Sequence, residues 1–289
     1  MKILLTGASG VLGTRLLESL KSYDIELRAL VHKTPLKVDK VDTIIGSLDD
    51  SDILDLATQG MHTVVHLAAV THSNNAEEYL KTNWEGCRNL YESCTRNGVQ
   101  RFVFMGSRAS SEVGGPYSLS KYKAEEFIKK GPIPWVVLRP AEVYGPGSPD
   151  AINQLIQWIK KFRIVPIIGN GEYKLSPVLI DDVIPAFIKA ILKSEITGEI
   201  FTFCGPEIMT FKELVDRLSR ILKIRPISLF IPAGFMKAMI SILVACGIYI
   251  LTKDQVLRLV CDKEGDNENA KKLLDYNPKA LEDGLKSIL

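Results

Sequence analysis

The chain begins Lys2-Ile3-Leu4-Leu5-Thr6-Gly7-Ala8-Ser9-Gly10-Val11-Leu12-Gly13, an apolar run that passes directly into three glycines spaced three apart. Behind the glycines, Val11, Leu12, Leu16, Leu17 and Leu20 recur on one side of a helix. A strand, a glycine turn and a helix in that order form a pyrophosphate cradle. Gly7 permits a tight turn, Gly10 lets backbone approach the phosphates, and Gly13 lets helix and strand close on each other, with the anion on the helix N-terminus. The start of the chain therefore predicts a dinucleotide site, with Gly7, Ala8, Ser9, Gly10, Val11 and Leu12 as its first contacts.

The rest of the first two thirds fits that start. Short apolar runs at 2–5, 26–31, 43–45, 63–66, 101–105, 135–138 and 200–203 alternate with helical stretches. That pattern predicts an α/β fold, a doubly wound parallel Rossmann sheet with helices on both faces. Ligands on such sheets bind at the carboxyl ends of the strands, which places the chemistry just after Leu5, Val31, His66, Met105 and Leu138. Beyond Arg139 the pattern loosens through Pro140, Gly145, Pro146, Gly147 and Pro149 into a helix at 151–162, then returns through 178–180 and a helix at 181–192. After Pro206 helices are expected to dominate, the first capped by Thr210 with Glu213 as its capping-box partner. The expected division is a dinucleotide-binding domain of residues 1–142 plus 176–204, with a smaller, mostly helical C-terminal substrate-binding lobe of 143–175 plus 205–289.

Composition narrows the partners. A net charge of +2 with acids and bases interspersed leaves no electrostatic footprint for nucleic acid. Five cysteines form no CxxC pair, and the first strand starts at Lys2, so a cytoplasmic protein with reduced thiols and no signal peptide is expected. Residues 230–251 are mostly apolar but broken by Pro232, Gly234, Lys237 and Gly247, short of the roughly 20 residues that a spanning helix needs. Two readings stand for them: a buried or substrate-covering helix, and a peripheral membrane contact.

Tyr117 and Lys121 lie four apart at the start of a helix, on one face, after the strand 101–105. A phenol with an ordinary pKa near 10 is a poor base at neutral pH, and a nearby ammonium favours its ionised form. Ser107 follows the same strand. Together these residues supply a proton donor, an electrostatic tuner and an orienting hydroxyl. No metal site is expected: His62 and His66 share a strand face without convergent cysteines or carboxylates. Trp158 and Phe162 read as core, and Asp181 and Asp182 as a helix N-cap.

These motifs together resemble an extended short-chain dehydrogenase/reductase of the NAD-dependent epimerase/dehydratase kind. Residues 6–13 fit TGxxGxxG, His66-Leu67-Ala68-Ala69 fits HLAA, and 83–90 fit the helix N-x-x-G-T-x-N-L with Cys87 in place of the Thr. Tyr117 and Lys121 fit YxxxK, residues 138–147 are similar to LRP-x-x-V-Y-G-P-G, and 178–183 to V-x-V-x-D-V. The resemblance implies that Tyr117 is the general acid/base, that Lys121 tunes it and binds the nicotinamide ribose, and that Ser107 holds the reacting oxygen. It implies that Asn83 is the helix-kinking asparagine of a proton relay. It also implies that Leu67, Ala68 and Ala69 line the cofactor, that Pro140 and Val143 flank the nicotinamide, and that helices around 83–94 and 117–130 form a homodimer interface.

Three departures shape the expectations. The second strand ends Val31-His32-Lys33, with no acid to hold a ribose 2′-hydroxyl, so His32 and Lys33 favour a 2′-phosphate and NADP(H) over NAD(H). Ser47 stands where relatives place an adenine-contacting Asp, leaving Ser47, the Leu48 backbone or Asp49 for that contact. Nine residues separate Ser107 from Tyr117, a short loop that changes the pocket and makes Arg108, Ser110 and Ser111 candidates for substrate contact. The leading expectation is hydride transfer at a hydroxyl or keto carbon of a small-molecule substrate, a nucleotide sugar. The alternatives are a ketoreductase or hydroxy-dehydrogenase of an apolar substrate, and a non-catalytic NADP(H)-binding scaffold.

Overall fold

The computed structural model describes residues 1–147, 151–232, 234–235, 258 and 265–288. Its central sheet has seven strands: β1 (Lys2–Thr6), β2 (Glu26–Val31), β3 (Asp42–Ile45), β4 (Thr63–His66), β5 (Arg101–Met105), β6 (Trp135–Pro140) and a late strand, β11 (Glu199–Phe203). They run parallel in the order β11-β6-β5-β4-β1-β2-β3, so strand order reverses where β1 meets β4. Ile3, Leu4, Leu5, Val64, Val65 and Phe102 are wholly buried, which is why these strands read as continuous apolar runs: both faces of the sheet are covered.

Helices α1 (Val11–Leu20) and α2 (Ser51–Thr58) follow β1 and β3. Helix α1 buries Gly13, Leu16, Leu17 and Leu20, and α2 is capped by Asp50, whose Oδ1 accepts the Ile53 N–H at 3.2 Å. After β4, a single turn, α3 (Ala76–Tyr79), continues into a π-helical segment Leu80–Glu85 and then α4 (Gly86–Arg96). Helix α5 (Pro116–Lys130) follows β5, with proline in its first turn.

The chain forms two compact units. One comprises Met1–Arg139, Ile184–Thr202 and Asn269–Tyr276, the other Pro140–Val183, Phe203–Glu268 and Asn277–Leu289. These divisions differ from those at 142, 176 and 204 expected above. Residues 269–276 belong with the sheet, where Asn269 bonds Glu199 and Asp275 pairs with Lys189 at 3.1 Å.

The second unit has more strand than its sequence predicted. It contains β7 (Val143–Tyr144), α6 (Ala151–Phe162), β8 (Ile164–Ile168), β9 (Lys174–Leu175), β10 (Val178–Leu179), β12 (Met209–Thr210), α8 (Phe211–Leu222) and β13 (Ile227–Ile231). Strands β8 and β13 pair in parallel, with Pro166 opposite Leu229. Pro166 cannot donate to a ladder, but a two-stranded ribbon tolerates such a residue. The Thr210–Glu213 capping box forms as expected. Helix α7 (Ile180–Leu192) starts one residue before Asp181, which moves Asp181 and Asp182 from the N-cap into the first turn. Two short helices, α9 (Glu268–Leu274) and α10 (Leu281–Lys286), complete the described chain.

Candidate active site

At the β1/β4 reversal the carboxyl strand ends enclose a cavity of about 710 Å³. Thr6, Gly7, Ser9 and Gly10 line it from the first turn, His32, Lys33 and Thr34 from the end of β2, Ser47, Leu48 and Asp49 from the end of β3, and Leu67, Ala68 and Ala69 from the end of β4. Gly7 adopts φ +71°, and a Cβ there would meet Ala68 N at 2.5 Å and Leu67 C at 2.7 Å. No side chain caps the N-terminus of α1. An uncapped helix start behind a turn that begins and ends in glycine leaves donors for an anion, so these residues fit a pyrophosphate.

Ten of the residues expected around a cofactor thus share one cavity, while Ala8, Val11, Leu12, Tyr117 and Lys121 are not among its lining residues. Pro140 and Val143 belong to the second compact unit. The sequence reading did not single out Thr34, Glu78, Lys81 or Thr82, which also line the cavity, nor the 2.9 Å ion pair of Lys81 with Asp49. The only available signal was the helix register placing 78, 81 and 82 on one face.

Tyr117, 7% exposed, sits in the first turn of α5 and meets the ring of Tyr79 edge-on at 5.8 Å. One turn later Lys121 is buried, its Nζ donating to Met105 O at 2.9 Å and lying 4.9 Å from the Phe104 ring. This bond fastens α5 to the last residue of β5, two positions before Ser107. Burial pushes the Lys121 ammonium down to about 8, opposed by the charges of Cys87 and Glu125. Ser107 Oγ accepts the Ala109 N–H at 3.1 Å, which folds the short loop back on the strand end.

Asn83 is buried in the π-helical segment. Its Oδ1 accepts the Val70 N–H at 2.7 Å, while Nδ2 donates to Val70 O at 2.9 Å and to Ser120 Oγ at 3.1 Å. Ser120 Oγ in turn donates to Tyr117 O at 2.7 Å. One asparagine therefore ties the loop after β4 to the helix that carries Tyr117 and Lys121. Behind Lys121, the buried Glu125 carboxylate is held by the Arg139 guanidinium, whose Nε donates to Oε1 at 3.3 Å.

His66 lies beneath this layer, its Nδ1 2.6 Å from Thr6 Oγ1 and its ring stacked on Phe104 at 5.8 Å. Burial first, and the Lys121 charge second, push its pKa from 6.5 down to about 3. Between those values the unfolded chain holds a proton that the folded protein refuses, so stability falls as pH drops from 6.5 towards 3. In urea unfolding at pH 7 and pH 4, His66→Gln is expected to lose about 3 kcal/mol less than the wild type between the two conditions. Equal losses would show that His66 does not drive acid sensitivity. Among the described residues no group of His, Cys, Asp and Glu side chains is arranged to hold a metal ion.

A glycine cradle at the sheet reversal and a Tyr-Lys helix bonded to the adjoining strand now stand together on one unit. The family model for the NAD dependent epimerase/dehydratase family matches residues 3–203. The chain belongs to the NAD-dependent epimerase/dehydratase family. It is thus an enzyme of the extended short-chain dehydrogenase/reductase kind. The UDP-glucose 4-epimerase of Vibrio cholerae is 27% identical over 312 aligned positions, taking in 98% of this chain and 93% of that one. The N-acetyl-alpha-D-glucosaminyl-diphospho-ditrans,octacis-undecaprenol 4-epimerase of Escherichia coli O157:H7 is 27% identical over 253 positions, 80% of this chain and 75% of that one. Among solved structures, the UDP-glucuronic acid 4-epimerase of Bacillus cereus with UDP-glucuronic acid and NAD superposes with a TM-score of 0.78 at 23% identity, covering 99% and 97% of the two chains.

Proposed function

We propose that this member of the epimerase/dehydratase family transfers hydride at a hydroxyl or keto carbon of a nucleotide sugar, with Ser107, Tyr117 and Lys121 as its catalytic residues. The observation that carries the reading is the Lys121–Met105 hydrogen bond, which joins the Tyr117 helix to the strand that delivers Ser107. Bound in the 710 Å³ cavity, a nicotinamide dinucleotide supplies the hydride chemistry. The Tyr117 hydroxyl gives or takes the substrate hydroxyl proton, the Lys121 ammonium favours its ionised form, and Ser107 orients the reacting oxygen. Asn83 positions the Tyr117 helix. The first compact unit binds the cofactor, and the second supplies the substrate-binding lobe.

NADP(H) is the cofactor that we propose. The end of β2 presents His32, Lys33 and Thr34 to the cavity with no carboxylate, and Asp49 on the neighbouring strand end is paired with Lys81. Replacing both His32 and Lys33 with alanine is expected to weaken NADPH binding by about 10-fold or more and to leave NADH binding unchanged, read by nicotinamide fluorescence. Equal losses for the two cofactors would reject the phosphate-binding role.

The substrate assignment is tested by incubating the cofactor-loaded enzyme with UDP-sugars and with apolar ketones, following nicotinamide absorbance and product stereochemistry. Turnover of ketones alone would replace the nucleotide-sugar reading with the ketoreductase one, and no turnover of either would favour the scaffold. The same proposal includes a cytoplasmic location and a homodimer through α4 and α5, where Tyr91, Phe127 and Pro132 line a groove of about 440 Å³. It also includes peripheral membrane contact by residues 230–251. Of that stretch, 233 and 236–251 lie outside the described residues, whereas Phe230 and Phe235 are 49% and 63% exposed.

A further inference from the structure

Trp158 and Phe162 read as core from their helical spacing, and the structure reverses that. They are 43% and 48% exposed at the C-terminal end of α6, with ring centroids 4.5 Å apart. They continue into a wider apolar surface. The Trp158 Nε1–H donates to Ile164 O at 2.6 Å, Ile164 stands opposite Ile227 in the β8/β13 ribbon, and Ile227 N–H donates to Arg163 O at 2.9 Å. Ile227 is 70% exposed, Leu229 54% and Phe230 49%. Scattered apolar side chains need no explanation, but five large ones joined through one ribbon, Trp158, Phe162, Ile164, Ile227 and Leu229, mark a surface that meets something.

Charge identifies the partner. No Asp or Glu occurs from 151 to 171, a stretch that carries Lys160, Lys161 and Arg163, and none occurs from 217 to 253, which carries Arg217, Arg220, Lys223 and Arg225 among its cations. Among the described residues, Lys160, Lys161, Arg163, Lys223 and Arg225 form no ion pair, and Lys161 lies over the Phe162 ring at 5.1 Å. Favourable interaction with a helix C-terminus accounts for lysines ending α6, and for Lys223 ending α8, but not for the exposed aromatic rings beside Lys161. Exposed Trp, Phe and Ile set among unpaired cations have the composition of a surface that lies in a bilayer interface, rings at the acyl boundary and ammonium groups among headgroups. No helix among the described residues is long and apolar enough to cross a membrane, so the contact is interfacial.

We infer that the end of α6 and the β8/β13 ribbon form a docking surface for an anionic lipid bilayer. This deepens the peripheral-membrane reading and moves its centre outside 230–251, onto residues 158–164 and 227–229. The occupant is the lipid surface itself, recognised by its negative headgroup charge.

The test is co-sedimentation of the full chain with vesicles of phosphatidylcholine alone and of equimolar phosphatidylcholine and phosphatidylglycerol. Binding is expected to the mixed vesicles only and to weaken as salt rises. Lys160→Gln with Lys161→Gln is expected to weaken it by about 30-fold, since each cation near an anionic surface is worth about five-fold in partitioning. Ile227→Ser with Leu229→Ser is expected to abolish stable binding. NADPH titration, unchanged in both pairs, shows that the variants are folded. Failure of the wild type to bind any vesicle overturns this inference and the membrane reading together. Binding that both pairs leave intact but Phe235→Ser removes overturns this surface alone and keeps contact through 230–251. Equal binding to neutral vesicles overturns the anionic preference. Self-association that Ile227→Ser with Leu229→Ser removes, without vesicle binding, assigns the ribbon edge to a second copy of the chain.

Discussion

Tyr117→Phe is expected to lower turnover by about 10²–10⁴-fold while leaving dinucleotide affinity nearly unchanged, because general acid/base catalysis contributes on that scale. The substitution keeps the ring that meets Tyr79 at 5.8 Å, so the packing of this buried position survives. Lys121 also stays in place, since its Nζ is anchored on Met105 O rather than on the phenol. What disappears is the hydroxyl to which the proposed proton exchange with substrate is assigned. Loss of an interaction made in the transition state lowers kcat and kcat/KM together, whereas loss of a binding contact raises KM alone. Steady-state kinetics on a substrate found by the screen, with NADPH titration of the same preparation, separates the two. Unchanged kcat would remove Tyr117 from the chemistry, and a raised KM at constant kcat would make it a binding residue.

The candidate site was legible in the sequence where its parts are local. The helical repeat put Tyr117 and Lys121 on one face, with their roles implied by the resemblance, and Ser107 and the glycine turn needed only the rule that ligands gather at carboxyl strand ends. The cavity walls followed for the same reason, since His32, Ser47 and Ala68 each lie just beyond a strand end. Asn83 was found through resemblance, but its work was not readable. A hydrogen bond to Ser120, 37 residues away, depends on which helices lie side by side. The same holds for Glu125 and Arg139, whose pairing joins α5 to β6.

In the second unit the limit was different. Periodicity placed Trp158 and Phe162 on one face of α6, yet it cannot say what covers a face, and here the rings remain exposed. Strands β8 and β13 were missed because Pro166 looked like a breaker and because a two-stranded ribbon has no neighbouring sheet to impose alternation. Short pairings between distant segments leave little trace in local pattern, whereas a seven-stranded sheet repeats its signal in every strand.

The second large effect falls on Gly7, and Gly60 provides its control. Both adopt φ +71°, so alanine at either position carries the same left-handed backbone cost of about 1–2 kcal/mol. Their surroundings differ: a Cβ at Gly60 meets nothing within 4 Å, while at Gly7 it meets Ala68 N at 2.5 Å and Leu67 C at 2.7 Å. Those neighbours are backbone and cannot rotate aside. They also form the β4 wall of the cavity, so relieving the clash moves Leu67 and Ala68 away from the turn. Gly60→Ala is therefore expected to lower stability by about 1–2 kcal/mol with NADPH affinity intact. Gly7→Ala should lose about 1–3 kcal/mol more through overpacking and weaken NADPH by about 100-fold or more. Urea unfolding and fluorescence titration of the two variants side by side isolate the steric part from the conformational part. If Gly7→Ala matched Gly60→Ala in both measurements, the turn would be an ordinary left-handed corner, and the pyrophosphate would have to be bound elsewhere.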